Sequence, residues 1–392
     1  WNITLSFYQS LCSVPTELKE AADMFHLSAW QRFWRLDVPF SMPGLLWNMM
    51  MSMSGSWIFL IASESISVHN QTIVLPGVGS YLSLAISQAS MSGVVYTILT
   101  MLIVILLYDQ LFFRPLLNWS KKFTFEQVSQ EYVSRSWITV LLQRTYILKY
   151  LSHFLGIFGD AIVNLSFANG IKQEPVAKKP APNRFIELIW YTSLTVLVTG
   201  SLWLLLHFIF KHISSHELFH VLLLGLITAL RIVTIILIAS IIWIPIGVFI
   251  GLNRRIAEWV QPIAQFLAAF PANVLFPVAV ILILRYRLNI EIWSTPLLLL
   301  GTQWYILFNI IAGTAALPED LKEASSNFGV KGWQWWRRLI LPGIFPHWIT
   351  GTITAIGGGW NITILTEVIS WGSTTLTATG LGSYIAESTA AG

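Results

Sequence analysis

A long internal repeat constrains this chain more than any other feature. "PTELKEAADMFHLSAWQRFWRLDVP" at residues 15–39 returns as "PEDLKEASSNFGVKGWQWWRRLILP" at 318–342, at a constant offset of 303 (323 − 20 for two glutamates, 342 − 39 for the closing prolines). A repeat of this kind dictates architecture, because each copy must build the same substructure. The match continues without a gap, pairing Gly55 with Gly358, Trp57 with Trp360, Glu64 with Glu367, Ser67 with Ser370, Gly79 with Gly382 and Tyr81 with Tyr384. Roughly a third of positions from 15 to 81 equal their partners.

Composition sets the medium. Of the residues, 55% are hydrophobic and 11% charged, with a mean hydropathy of +0.66, against about 25% charged in soluble domains. Apolar runs long enough to cross a bilayer lie at roughly 43–63, 91–113, 185–210, 218–252, 258–284, 291–316 and 343–366. Lys and Arg cluster on alternate sides of these runs, which puts both copies of the repeated stretch in the cytoplasm. Lys211, Arg285 and Arg287 fall on the other side. The net charge of +4 is read through this asymmetry and not as a nucleic-acid footprint, so no nucleic-acid partner is expected and membrane lipid is. Cys12 is the single cysteine, which excludes an internal disulfide framework and a cysteine zinc site. Between the runs, 172–182 is a Pro- and Lys-rich linker. The stretch before it, with Arg144 and Lys149, suits an interfacial cytoplasmic helix better than a span.

Each repeated stretch opens with Pro and acids, a helix-start signal. Leu18, Ala21, Ala22 and Phe25 fall at i, i+3, i+4 and i+7, as do Leu321, Ala324, Ser325 and Phe328, giving one apolar stripe per short helix. A helix this short is marginal alone in water and needs a docking partner. A second helix is expected from Trp30 or Trp333, ending at Pro39 or Pro342. Gly329 fits a left-handed turn between the two, and His26 holds that place in the first copy.

The motifs "EAA" at 20–22, "EAS" at 323–325, Gly329 and "ILP" at 340–342 resemble the EAA loop of permease subunits of ATP-binding cassette importers. "GSWIFLIASE" and "GGGWNITILTE" resemble its nitrate, sulfonate, taurine and bicarbonate branch. The resemblance covers about Leu218 to the end, and the first copy from its loop to about residue 113. His26 replaces the usual Gly, Ser325 the second Ala and Val38 the Leu before Pro39. The resemblance implies that Leu18, Glu20, Ala21, Ala22, Phe25, His26 and Pro39, with Leu321, Glu323, Ala324, Ser325, Phe328, Gly329 and Pro342, couple the membrane domain to an ATPase dimer. It also implies a periplasmic or lipid-anchored substrate-binding protein as partner and a small anion as solute. Family domains carry more spans before the loop, so the natural protein is expected to be longer at both ends.

"HELFH" at 216–220 is an H-E-x-x-H pattern, which on a helix suits zinc and makes an intramembrane metalloprotease one alternative reading. A secondary transporter is another. No Gly-Lys pair occurs, so no phosphate-cradling P-loop exists and ATP hydrolysis is assigned to partners. Glu64 and Glu367 close a span in each copy, seven residues after Trp57 and Trp360. Trp57, Glu64, Trp360, Asn361 and Glu367 are the candidate translocation-path residues. The two acids are expected to bond neighbouring backbone or Ser/Thr groups. Pro245, Pro271 and Pro277 are expected to kink their spans. Arg231 is compatible with an anion.

The expectation is an all-α, polytopic inner-membrane protein of two tandem importer-type domains related by pseudo-twofold symmetry. Residues 1–113 hold the first, 114–184 a linker with its interfacial helix, 185–217 an extra span and 218–392 the second. No catalytic residue, metal or cofactor is expected.

Overall fold

The computed structural model describes residues 2–68, 71–123 and 184–391, and Val163. The expected interfacial helix, apart from Val163, and the linker at 172–182 lie outside these residues. Helices α1 (Asn2–Cys12), α2 (Thr16–Met24) and α3 (Ala29–Arg32) lead through a wide turn at Phe33–Asp37 into the long α4 (Val38–Ser63). Hairpin strands β1 (Ser65–Val68) and β2 (Gln71–Val74), then α5 (Val78–Ser87), α6 (Met91–Tyr108) and α7 (Arg114–Ser120), complete the first unit. Helix α8 (Arg184–His212) stands apart, with no buried residue in its apolar window. Next come α9 (Ser215–Leu252), α10 (Arg254–Ala269), α11 (Phe276–Tyr286) and α12 (Ile290–Ala315). Then α13 (Glu319–Asn327), α14 (Gly332–Trp335), α15 (Leu341–Glu367), β3 (Val368–Trp371), β4 (Thr374–Thr377) and α16 (Leu381–Ala391) repeat the first unit.

The sequence offset of 303 reappears element by element. The wide turn Phe33–Asp37 has its counterpart at Trp336–Ile340, and the hairpin pairing Ser65↔Val74 at Val368↔Thr377. Those hairpins are the departure from an all-helical chain. Their strands are rich in β-branched residues and alternate along the chain, a pattern that suits an extended ribbon.

Three further expectations are corrected. Pro39 and Pro342 end no helix; each sits in the first turn of the following helix. There the backbone stays helical, and the wide turn just before each proline re-spaces the helix's hydrogen bonds around the missing N–H. The run at 258–284 is no straight span, since α10 and α11 meet at a 75° bend around Pro271. Pro277 occupies the first turn of α11 and so kinks no helix, while Pro245 lies within the unbroken α9. Among the described residues, five helices are long and apolar enough to cross a membrane, or up to seven if each bent pair counts as one span.

The core is helix-on-helix. Helix α12 lies between α9 and α15, with Leu298, Ile306 and Ile310 fully buried among Ile232, Ile344 and Ala355. A second cluster joins the units: Ile61, Leu82, Val94 and Met101 of the first enclose Val274 of the second. The Gly372 N–H, in the β3–β4 turn, also donates to the Ile86 carbonyl of α5 at 2.9 Å. On the orientation expected from the charge asymmetry, the hairpins lie outside and α2 and α13 inside. Cysteine at exposed Ser373 is therefore expected to react with an impermeant maleimide in intact cells, and cysteine at Lys331 only after lysis; the reverse pattern inverts the topology.

Candidate functional site

The two repeated helix–turn–helix stretches are built with one geometry. Pro15 and Pro318 cap α2 and α13 without a side-chain bond, and Glu17, or Glu319 and Asp320, lie in the first turn where the dipole favours them. Each helix stops at a left-handed residue, His26 at φ 51° and Gly329 at φ 61°. The Leu27 N–H then reaches back to the Ala22 carbonyl at 3.1 Å, and Val330 to Ser325 at 3.0 Å. Ser28 starts the next helix with a reciprocal capping box to Gln31. Lys331 occupies that place in the second copy without a side-chain cap.

The apolar stripe divides in two. Ala22 is buried, and Leu18, Ala21, Ala324 and Ser325 are half-buried against the chain itself. The stripe's last residues turn outward: Phe25 is 79% and Phe328 84% exposed, and Leu321 is exposed with them. Glu20, Glu323 and Pro342 are exposed, and Pro39 is half-buried. Phe25 and Phe328 thus lie bare at matching places on the two surface helices.

At the outer ends, a carboxylate ties each span to its hairpin. Glu64 Oε2 accepts from the Gly79 N–H at 2.5 Å, and Glu367 Oε2 from the Gly382 N–H at 2.6 Å. Their own carbonyls accept from Leu75 and Ala378 at 2.9 and 2.8 Å, closing the hairpins. Gly77 and Gly380 sit so close that a Cβ would lie 2.2 and 2.1 Å from the carboxylates. Gly380→Ala is therefore expected to push the Glu367 carboxylate off its donors and cost about 1–3 kcal/mol. Thermal unfolding of the purified protein reads this, and an unchanged midpoint contradicts it.

The second lock carries more. Glu367 Oε1 also accepts from Thr228 Oγ1 at 2.9 Å and Arg231 Nη1 at 2.5 Å. Arg231 reaches Glu291 as well, Nη2 to Oε2 at 3.1 Å, while Glu291 Oε1 holds the Thr379 N–H and hydroxyl at 2.7 Å. Glu367 is fully buried and bonds backbone and Thr groups, as expected of the two acids. Arg231 clamps two carboxylates and is not left open for an anion. Glu291, Thr228 and Thr379 were missed. The available signal was a lone Arg inside an apolar run, which has to find an acid.

Of the remaining path candidates, Trp360 and Asn361 are exposed on α15, where Asn361 Nδ2 donates to its own helix at the Gly357 carbonyl, 3.0 Å away. Trp57 is half-buried against Tyr108. In the H-E-x-x-H stretch, Glu217 accepts from Tyr384 Oη at 2.7 Å, and the His220 and Tyr384 rings meet at 6.2 Å. The bond to Glu217 holds the Tyr384 hydroxyl pKa above its usual value. Among the described residues, no group of three or more His, Cys, Asp or Glu could hold a metal ion.

With this geometry established, comparison with known proteins is decisive. The family described as the binding-protein-dependent transport system inner membrane component matches residues 1–114 and 243–391, which contain both repeated helix–turn–helix stretches, Glu64 and Glu367, while Thr228 and Arg231 fall outside the match. The chain belongs to this family. This permease is therefore a multi-pass inner-membrane transport component. Among curated relatives, it is 26% identical over 148 residues to the bicarbonate transport system permease protein CmpB of Synechococcus elongatus, covering 38% of the chain and 50% of the relative. It is 23% identical over 147 residues to the nitrate import permease protein NrtB of Synechocystis sp., with the same 38% and 50%. A putative ABC transporter permease of Methanocaldococcus jannaschii is 24% identical over 144 residues, 37% of the chain and 52% of that protein. The chain spans about half the length of the curated relatives it matches.

Proposed function

We propose that this permease is the transmembrane part of an ATP-binding cassette importer that moves a small oxyanion, of the bicarbonate or nitrate kind, across the inner membrane. The observation that carries the reading is the twinned docking element: α2 and α13, each ending in an outward-facing Phe and a left-handed residue. An ATPase dimer sits on both, and its nucleotide-driven closure pushes on α4 and α15 through the wide turns at Phe33–Asp37 and Trp336–Ile340. ATP is hydrolysed by that partner. A substrate-binding protein docks at the hairpin side. Residues 1–113 and 218–392 act as the two halves of the pore, joined through 114–184 and the extra span 185–217. A secondary transporter has no use for two bare cytoplasmic helices. The test is co-purification of the full-length protein with its ATPase and binding protein, followed by ATPase assays. Stimulation by bicarbonate or nitrate together with the binding protein supports the reading; absence of any ATPase partner refutes it.

A further inference from the structure

The two units pack α1 on α4 and α12 on α15 position by position. Asn48 Nδ2 of α4 donates to Ser6 Oγ of α1 at 2.9 Å, and the same places in the second unit hold Gly351 and Asn309, where a Cβ on the glycine would lie 3.0 Å from the Asn309 Cβ. Ser10 beside Gly44 likewise returns as Gly313 beside His347. The offset of 303 therefore runs on through α1, with Trp1 matching Trp304 and Ile3 matching Ile306. Beyond these contacts the units part. In α15, Gly359, Ile362, Thr363 and Thr366 make one buried face at i, i+3, i+4 and i+7. Their partners in α4, Ser56, Phe59, Leu60 and Ser63, are all exposed.

Helices α9 and α12 cover the face of α15. A Cβ on Gly359 would lie 3.2 Å from Ile232 Cγ2 of α9 and 3.9 Å from Thr302 Cγ2 of α12. At the outer end of the same face, α9 brings Thr228 and Arg231 to Glu367 Oε1. Glu64 lacks that support. Its Oε2 takes the Gly79 N–H, while among the described residues its Oε1 has no hydrogen-bond partner and the carboxylate no ion pair. Small residues at 56 and 63 suit close approach of another helix, and an acid at the end of a span asks for a partner.

We infer that the bare face of α4 seats an apolar helix lying before residue 1 in the natural chain, and that this helix carries a Thr-x-x-Arg pair and clamps Glu64 as α9 clamps Glu367. The repeat identifies the occupant, since equal faces in equal units take equal partners. The charges match, a guanidinium meeting a carboxylate, and residues three apart share one side of a helix, so threonine and arginine reach the acid together. Continuing the offset puts the arginine about 73 residues before residue 1 (304 − 231, residue 304 being the partner of residue 1). The inference stands on the repeat and the exposed face of α4, and holds whatever solute the permease moves.

The test uses the full-length permease carrying Cys12→Ser. One cysteine replaces Ser56 and a second replaces the residue after the upstream arginine, the counterpart of Ile232. Oxidation with copper phenanthroline is expected to join the two within one chain, read by mass spectrometry as a single cross-linked peptide. In a second measurement, Glu64→Gln is expected to lower the unfolding midpoint by several degrees, as breaking one side of a buried pair does. Replacing Glu64 and the upstream arginine together by leucine is expected to recover most of that loss. Should a charge variant fail to insert, the cross-link still decides, because it leaves both charges in place. A cross-link running between two chains gives the face to a second copy and overturns the inference. So does the absence of any cross-link, an unchanged midpoint in Glu64→Gln, or a natural chain with no Thr-x-x-Arg in an apolar run at that place.

Discussion

Replacing both Phe25 and Phe328 by alanine is expected to abolish transport while leaving the protein inserted and folded. Both side chains are about four-fifths exposed, so their loss removes almost no packing within the chain, and substitutions at such surface positions usually change stability by about 0.5 kcal/mol or less. At an interface they are the large aromatic anchors, each worth about 2 kcal/mol or more when truncated. Two such losses weaken ATPase association by about 4 kcal/mol, roughly a thousandfold. Co-purification of the ATPase and ATP-driven uptake should fall together, with the unfolding temperature unchanged. Each single variant should retain partial activity, because one docking element remains. Normal uptake by the double variant, with the ATPase still bound, sinks the docking assignment.

Arg231→Leu is expected to be the most destabilising single change in the second unit. It strands the fully buried Glu367 carboxylate without its cation and releases Glu291, which positions the Thr379 backbone. Removing one partner of a buried ion pair costs about 3–5 kcal/mol, whereas replacing both by apolar groups is far milder. The Arg231→Leu, Glu367→Leu double variant should therefore recover much of the loss. That sign of coupling identifies a direct interaction. Unfolding of Arg231→Leu at the unaltered temperature contradicts the clamp.

Much of this architecture was legible because the repeat forces equal positions into equal structures. The left-handed place of His26, the span ends at Glu64 and Glu367, and the docking helices follow from a pattern read at one period and one offset. Other features were hidden for physical reasons. Pro39 and Pro342 read as stops, yet the helix runs on across each, the wide turn just before it re-spacing the backbone bonds. The bend at Pro271 was signalled by the proline alone, since hydropathy records the medium and not the direction of the chain and drew 258–284 as one run. The hairpins were too short to stand out against the helical signal around them. The clamp needed the third dimension: Thr228, Arg231, Glu291, Glu367 and Thr379 come from three helices and a loop, and nothing local in the sequence links them. The division of the apolar stripe, Ala22 in and Phe25 out, likewise depends on what the rest of the chain covers.

The most direct measurement of the central claim is solute uptake by proteoliposomes holding the full-length permease, its ATPase and its binding protein, with ATP inside or outside and with or without an ion gradient. The importer account predicts uptake of bicarbonate or nitrate only when ATP is on the side of α2 and α13, and none from a proton or sodium gradient alone. Uptake driven by the gradient without ATP would contradict it and make the protein a secondary transporter.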